Sequence, residues 1–243
     1  MPPTDLFWQT YRPLEGFYTS EVATPASMPV RTFVPTGYEP NYAYPLIVWF
    51  HGQSSSEEQI MRLAPRLSRR NFICIGLRGP QLSVHADGRL AFSWSRQNSF
   101  DSLVEDYLFN AIEQTCRCYH IHPQRIYLAG VCEGATIAYR LGMLFPDRFA
   151  GIISLNGTMP RGGTPMLRLP QARRLRVFIG HGIANAYVPL TMARQNYRLL
   201  YTAGLDVEFR TYPANHRLHN DMLRDINQWI IGGIVAQQTA TAR

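Results

Sequence analysis

Short runs of apolar residues alternate along this chain with longer stretches in which apolar residues recur every three or four positions. Runs of the first kind, such as Pro45 to Phe50, are typical of buried β-strands, and stretches of the second kind are typical of helices packed on a sheet. The pattern predicts strands over 16–22, 29–34, 45–50, 72–77, 125–129, 151–155, 175–180 and 207–212, and helices over 57–70, 102–118, 134–145, 190–203 and 220–231. Because strands that alternate with helices of this length indicate βαβ crossovers, we expect an α/β protein whose mostly parallel central sheet carries helices on both faces.

The length of the chain limits its organisation. With 243 residues it is long enough for one large α/β domain and short for two of ordinary size, so we expect a single domain over residues 1–243. The N-terminal stretch has no apolar run of secretory length, and no segment approaches the roughly 18 uninterrupted apolar residues that a membrane span needs. Four cysteines are few for a disulfide framework. Together these features predict a cytoplasmic protein without a membrane partner.

The charge of the chain bears on its partners. The formal net charge is +7, and all 24 basic residues are arginine. They are scattered, apart from small clusters at 69–70 and 173–176, whereas a nucleic-acid groove needs a continuous basic stripe with aromatic stacking platforms. We therefore expect no nucleic-acid partner, although the positive charge can still attract acidic substrates or anionic carriers. The oligomeric state stays open.

Candidate chemistry lies at the carboxyl ends of the predicted strands, where functional groups of such sheets collect. Four loops there carry reactive side chains: FHGQSSSEEQ at 50–59, GVCEG at 130–134, GHGIANAYVP at 180–189 and YPANHRLHND at 212–221. In the second loop, Gly130 and Gly134 flank Cys132 between a predicted strand and a predicted helix. A G-x-S-x-G nucleophile elbow has the same layout, because glycines two positions to either side let the backbones of a strained turn approach each other. Cys132 is therefore a candidate nucleophile.

From about Leu46 to Trp229 the sequence resembles the α/β-hydrolases of the phospholipase/carboxylesterase branch, with dienelactone-hydrolase relatives. WFHGQSSSEEQ resembles the family's oxyanion loop, GHGIANAYVP its acid loop, H-G-x-x-D-x-x-V-P, and NHRLHNDMLRDINQWI the segment that carries its catalytic histidine. The resemblance implies the order nucleophile, acid, histidine. It also implies a small-molecule acyl substrate, an ester or thioester, whose acyl group is hydrolysed or transferred. It also places the base at His216, with His219 as a rival.

Two positions depart from the family pattern: Cys132 replaces serine, and Asn185 replaces aspartate. In the serine proteases, loss of the aspartate lowers turnover by about 10⁴. A thiol has less need of that carboxylate, because it can pass its proton to histidine before substrate arrives and rest as a thiolate–imidazolium pair. The asparagine oxygen can still hold the ring, as in papain-like Cys-His-Asn sites. Our hypothesis is that the two departures compensate each other; the alternative is a catalytically inactive hydrolase-fold protein that binds or acts as a scaffold.

The remaining candidate site residues lie in these loops and in the segment 78–97. The main-chain N–H groups of Gln53 and Glu133 are predicted to form the oxyanion hole, which needs two donors aimed at the developing charge. The Glu133 carboxylate should oppose thiolate formation unless it points away or pairs with an arginine.

Phe92 and Trp94, in the irregular segment 78–97, either line the substrate pocket or only anchor their loop. His51 and His181, each before a glycine, are expected to shape their loops by hydrogen bonds, and neither a metal nor an organic cofactor is implied.

Overall fold

A computed structural model describes residues 14–22, 28–84, 88–94, 101–160 and 168–241. The strands of these ranges are β1 (Gly16–Val22), β2 (Met28–Val34), β3 (Tyr44–Phe50), β4 (Ile73–Leu77), β5 (Gln81–Val84), β6 (Leu90–Ser93), β7 (Ile121–Val131), β8 (Gly151–Leu155), β9 (Arg176–Gly182) and β10 (Asp206–Tyr212). The helices are α1 (Ile60–Leu67), α2 (Asp101–Cys118), α3 (Glu133–Leu144), α4 (Leu169–Ala172), α5 (Leu190–Thr202) and α6 (Asn220–Thr241), with 3₁₀ turns at Glu57–Gln59 and Pro146–Arg148.

Eight of the described strands form one sheet in the order β1-β2-β4-β3-β7-β8-β9-β10. The six strands from β4 to β10 in this order pair in parallel, while β1 pairs with β2 and β2 with β4 in antiparallel register. This is the predicted mostly parallel α/β sheet. Because β7, β8, β9 and β10 are consecutive neighbours, the loops that follow them meet at one edge of the sheet.

Alternate residues of the central strands feed two separate hydrophobic cores. In β3, Leu46, Val48 and Phe50 belong to the core that also contains residues of α2, α3 and α5. Ile47 and Trp49, between them, belong to the core that contains residues of α1 and α6. Since successive side chains of a strand point to opposite faces, an apolar run such as that of β3 requires both faces to be covered. Helices lie on both faces, as the sequence predicts.

The segment after β4 departs from the prediction of an irregular loop. Within the described part of 78–97, β5 and β6 form a two-stranded antiparallel hairpin that pairs Gln81 with Ser93 and Val84 with Leu90. Its strands have four residues each, and three of their apolar side chains are exposed: Leu82, Val84 and Leu90. Short strands with apolar residues on the outer face lack the contrast between buried and exposed positions that marks longer strands.

Two helices differ from their predicted bounds by three residues or more, and the other three predicted helices by one residue. The segment predicted as one helix over 57–70 begins with a 3₁₀ turn at Glu57–Gln59, and α1 ends at Leu67. The last helix, α6, continues to Thr241, ten residues beyond its predicted end at Ile231. Its final turns are mostly exposed, so they lack the periodic apolar residues from which an amphipathic helix is predicted. Across the described ranges, no helix combines the length and apolar character needed to cross a membrane.

Candidate active site

Cys132 occupies a sharp turn between β7 and α3. Its backbone lies in the left-handed region, with φ 54° and ψ −118°, and its N–H donates to the carbonyl of Leu155 at 3.0 Å. A Cβ at Gly130 would lie 2.2 Å from the Gly134 carbonyl oxygen, and one at Gly134 would lie 2.2 Å from the carbonyl oxygen of Phe50. Only glycines fit this approach of α3 to the sheet. The turn therefore has the geometry of a nucleophile elbow, in which strain at a non-glycine residue accompanies a functional position.

His216 and Asn185 meet across the loops that follow β10 and β9. The Nδ1 atom of His216 lies 3.0 Å from Oδ1 of Asn185, whose side chain is buried. The same Oδ1 accepts the main-chain N–H groups of Tyr187 and Val188 at 3.1 Å each, so the atom in this position must be the amide oxygen. His216 therefore donates from Nδ1, and the neutral ring keeps its lone pair on Nε2. A histidine in this tautomer can accept a thiol proton at Nε2.

Burial controls the basicity of His216. Desolvation of the half-buried ring lowers the pKa of His216 below its ordinary value of 6.5. The neutral Asn185 amide stabilises an imidazolium less than a carboxylate would. Both effects work against the expected resting thiolate–imidazolium pair and favour a neutral histidine that takes the thiol proton during attack.

His219, the rival base, lies at the start of α6. Its Nδ1 accepts the main-chain N–H of Asp221 at 3.2 Å, and its ring stacks on Tyr212 with centroids 6.3 Å apart. An acceptor at this position satisfies one of the main-chain donors that every helix N-terminus leaves without an intrahelical partner. Of the two histidines, His216 is the one that contacts Asn185, which supports its assignment as the base.

His51 holds the loop that follows β3. Its ring is fully buried, and Nε2 accepts the main-chain N–H of Gly79 at 2.9 Å. The other nitrogen, Nδ1, therefore carries the proton and donates to the Gly52 carbonyl at 2.7 Å. His181 plays a similar part after β9, where Nε2 contacts the Val188 carbonyl at 2.8 Å. The predicted loop-shaping role of both histidines is confirmed by these contacts.

The two predicted oxyanion donors lie on either side of the nucleophile. A Cβ built on Gly52 would lie 3.7 Å from the Cβ of Cys132, which places the start of the oxyanion loop against the elbow. Gln53 follows in an exposed turn. Glu133 is the first residue of α3, where main-chain N–H groups have no partner inside the helix. The assignment of these two N–H groups as oxyanion donors stays a prediction.

A model of the phospholipase/carboxylesterase family matches residues 39–232. The chain belongs to this family. A probable carboxylesterase of Oryza sativa subsp. japonica is 28% identical over 120 residues, which cover 49% of this chain and 45% of that protein. Acyl-protein thioesterase 1 of Mycosarcoma maydis is 30% identical over 125 residues, which cover 49% and 52% of the two chains. The chain thus spans about half the length of the curated relatives that it matches.

Solved structures show the fold. A carboxylesterase from Mesorhizobium loti superposes with a TM-score of 0.68 at 19% identity, over 88% of this chain and 99% of that one. With the sheet described above, this likeness shows that this member of the phospholipase/carboxylesterase family has the α/β-hydrolase fold.

Glu133 and Trp94 join the elbow to the segment after the hairpin. Oε1 of Glu133 accepts the main-chain N–H of Trp94 at 3.0 Å, so the carboxylate has a partner other than the thiol. The Trp94 ring is 2% exposed, lies 5.1 Å from the His51 ring, and donates its indole N–H to the His51 carbonyl at 2.9 Å. This buried position fits the interpretation that Trp94 anchors its loop, because almost none of its ring surface is exposed for contact with a substrate.

Phe92 lies in a second connection between the hairpin and the oxyanion loop. Its main chain exchanges hydrogen bonds with Ser55, at 3.0 and 2.7 Å, and the Arg78 guanidinium lies 4.4 Å from the centre of its ring. Arg78 also forms a two-bond ion pair with Glu57, which is 2% exposed. The interpretation of Phe92 as a wall of the substrate pocket stays a prediction. The Arg78–Glu57 pair leaves no signal in the sequence, because the two residues are brought together only by tertiary structure.

The acid loop keeps the geometry of the family pattern although it holds an amide. Two main-chain donors and His216 all converge on Oδ1 of Asn185, as they would on a carboxylate. Nδ2 of Asn185 is buried without a hydrogen-bond partner among the described residues. A buried donor left unsatisfied costs about 1–3 kcal/mol. This loop therefore retains an arrangement suited to aspartate at a cost to the stability of the fold.

The cysteines are present as thiols in this structure. All four cysteines lie within the described ranges, and none forms a disulfide. Cys74 is buried in β4, and burial raises the pKa of its thiol. In the same ranges, no group of three or more His, Cys, Asp or Glu side chains is placed to hold a metal ion.

Acid is expected to destabilise the fold through His51. Burial lowers the pKa of His51 to about 4, against 6.5 for the unfolded chain. As the pH falls, the unfolded state therefore binds a proton at His51 before the folded state does. The contribution of the neutral His51 to the free energy of unfolding is fully present above pH 6.5 and declines towards pH 4, by up to about 3 kcal/mol. We expect urea denaturation between pH 7 and 4.5 to show this decline, and the decline to be smaller in His51→Gln, which cannot titrate. An equal decline in both proteins would contradict the assignment.

Proposed function

We propose that this protein is a cysteine-dependent hydrolase that acts on an ester or thioester through an acyl-enzyme on Cys132. His216 serves as base and then acid, and Asn185 orients it. The observation that carries the proposal is the 3.0 Å contact from His216 Nδ1 to Asn185 Oδ1, because it fixes the tautomer that leaves Nε2 basic. Esterase and thioesterase chemistry is supported by the family and by the names of the relatives.

The reaction divides into two acyl transfers. In the first, the Cys132 thiol gives its proton to Nε2 of His216, and the sulfur attacks the substrate carbonyl carbon. The negative charge that develops on the carbonyl oxygen is stabilised by the main-chain N–H groups of Gln53 and Glu133. The bond to the alcohol or thiol then breaks, and the leaving group takes the proton from His216. A thioester on Cys132 remains.

In the second transfer, His216 removes a proton from water, and the oxygen attacks the thioester carbonyl. The Cys132–acyl bond breaks, the carboxylic acid leaves, and the sulfur recovers its proton from His216. If a second alcohol, amine or thiol occupies the place of water, the same steps transfer the acyl group to it. Hydrolysis and acyl transfer therefore require the same three side chains and differ only in the acceptor.

Turnover of simple substrates tests this proposal. We expect the wild type to hydrolyse an activated nitrophenyl ester or a short acyl thioester. His216→Ala should lower kcat/KM by about 10²–10⁴, the usual contribution of a general base. His219→Ala is a matched control, since it removes a neighbouring histidine that caps a helix, and it should stay within a few-fold of wild type. Equal losses in both variants would contradict the assignment of the base, and a wild type without turnover above the buffer rate would indicate an inactive hydrolase fold.

A further inference from the structure

Asn156 follows β8 at the edge of the sheet where the candidate active site lies. Its side chain is fully buried, and its backbone has φ 52°, a conformation uncommon outside glycine. Its main-chain N–H donates to the Gly180 carbonyl at 3.0 Å. In sheet order, β8 lies between the strand that leads to Cys132 and the strand that leads to Asn185. A buried polar residue with strained backbone at this point requires an explanation.

The side chain of Asn156 connects two of the loops that form the site. Nδ2 donates to the main-chain carbonyls of His216 and Arg217, at 3.1 and 3.3 Å. Oδ1 accepts the main-chain N–H of Gly182, the last residue of β9 and part of the acid loop, at 2.9 Å. Such a connection needs a donor and an acceptor on one short side chain, so aspartate and leucine, which are of similar size, cannot reproduce it.

The next residue, Gly157, connects the same segment to the elbow. A Cβ at Gly157 would lie 2.5 Å from the carbonyl oxygen of Cys132 and 2.3 Å from the Cβ of Ala135. The segment 156–157 thus contacts the nucleophile turn directly through its backbone. The elbow, the acid loop and the histidine loop all meet at these two residues.

We infer that Asn156 is a positioning residue of the active site, which sets the place of His216 by holding the main chain of its loop. This inference rests on the proposed function. The His216–Asn185 hydrogen bond joins two neutral groups, and such bonds are about half as strong as those to a carboxylate. The ring is therefore held less firmly from its side chain than in an aspartate-containing site, and its orientation depends more on the backbone that Asn156 fixes. Without that support, Nδ1 loses its alignment with Asn185 Oδ1.

The test uses Asn156→Asp, which keeps the size of the side chain and the acceptor for the Gly182 N–H. Its ionised carboxylate would face the carbonyl oxygens of His216 and Arg217, which repel it. A displacement of about 1 Å can cost about 10²-fold in rate, so we expect kcat to fall by about 10- to 100-fold while KM changes little. Asn71→Asp is the matched control, because Asn71 donates a comparable 2.8 Å side-chain hydrogen bond to Asn227, away from the site.

The pH dependence separates positioning from a general loss of structure. When the introduced carboxyl group is protonated, it can again donate a hydrogen bond to one of the two carbonyls. The ratio of wild-type kcat to that of Asn156→Asp, each divided by the folded fraction measured at the same pH, should therefore shrink as the pH falls. This division is needed because an ionised buried carboxylate also destabilises the fold, so the folded fraction of the variant rises as the pH falls. A ratio independent of pH, or a folded Asn156→Asp with kcat within about two-fold of wild type, would overturn the inference.

A second readout does not depend on turnover. Long-range ¹H–¹⁵N NMR spectra report which ring nitrogen of His216 carries the proton. We expect the Nδ1–H tautomer in wild type and in Asn71→Asp, and a mixture of tautomers in Asn156→Asp at neutral pH. If Asn156→Asp does not fold, Asn156→Gly provides the test, since glycine accepts the positive φ and removes all three side-chain hydrogen bonds. An unchanged tautomer would overturn the inference, and a changed tautomer in a protein without turnover would sustain it while the proposed function fails.

Discussion

Cys132→Ala is expected to abolish acyl-enzyme formation and leave the fold intact. Alanine keeps the Cβ of the strained turn, and the tight approach of α3 to the sheet depends on Gly130 and Gly134, which do not change. The sulfur is the atom that forms the acyl bond, so kcat/KM should fall by about 10⁴ or more. The measurement is turnover on an activated ester, with the thermal midpoint as a check on folding.

The control for this change is Cys116→Ala, which removes an exposed thiol on α2. It should leave turnover and thermal midpoint unchanged. Normal turnover in Cys132→Ala, on an ester that the wild type cleaves, would show that the nucleophile lies elsewhere.

Asn185→Asp is expected to change kcat/KM little when Cys132 is present and strongly in a Cys132→Ser background. With Cys132 present, the change should alter kcat/KM by less than about 10-fold, because a thiol is acidic enough to use a weakly held, neutral histidine. In a Cys132→Ser background the carboxylate should raise kcat/KM by about 10² or more, since a hydroxyl needs the stronger base that the aspartate provides. The carboxylate should also raise the pKa of His216 and move the acid limb of the profile to higher pH.

A double-mutant cycle in kcat/KM on one activated ester measures this coupling. Strong non-additivity would show that Cys132 and Asn185 act together. Equal effects of Asn185→Asp in both backgrounds would indicate that the asparagine is a bystander, or a mark of a decaying site. The cycle therefore decides whether Cys132 and Asn185, the two departures from the family pattern, compensate each other or are unrelated.

The alternation of apolar runs and helical periodicity was sufficient to predict the sheet and most of its covering helices. It works for strands such as β3, because a strand buried on both faces must be apolar at every position. It failed for the hairpin of β5 and β6, whose exposed Leu82 and Leu90 carry no contrast between inside and outside. It also ended α6 too early, because beyond Ile234 the helix is exposed and no longer contacts a core.

The loops of the candidate site could be located from motifs, but their internal contacts could not. His216 and Asn185 were found because each lies at a fixed place in a family pattern, and the structure brings them within hydrogen-bonding distance. Asn156 was missed, since its three side-chain partners lie 26 to 61 positions away in the chain. Polar residues directly after an apolar strand and before a glycine, such as Asn156 before Gly157, are the signal that could have marked it. Burial of Trp94 against His51 likewise depends on tertiary packing.

The most direct test of a cysteine acyl-enzyme is the mass of the protein itself. Brief exposure to an activated acyl thioester, followed by acid quench, intact mass measurement and peptide mapping, should show one acyl group on Cys132. The adduct should be absent from Cys132→Ala. It should form at least about 10²-fold more slowly in His216→Ala, and at close to the wild-type rate in His219→Ala. An adduct on another residue, or labelling of Cys132 at the same rate without His216, would contradict the account.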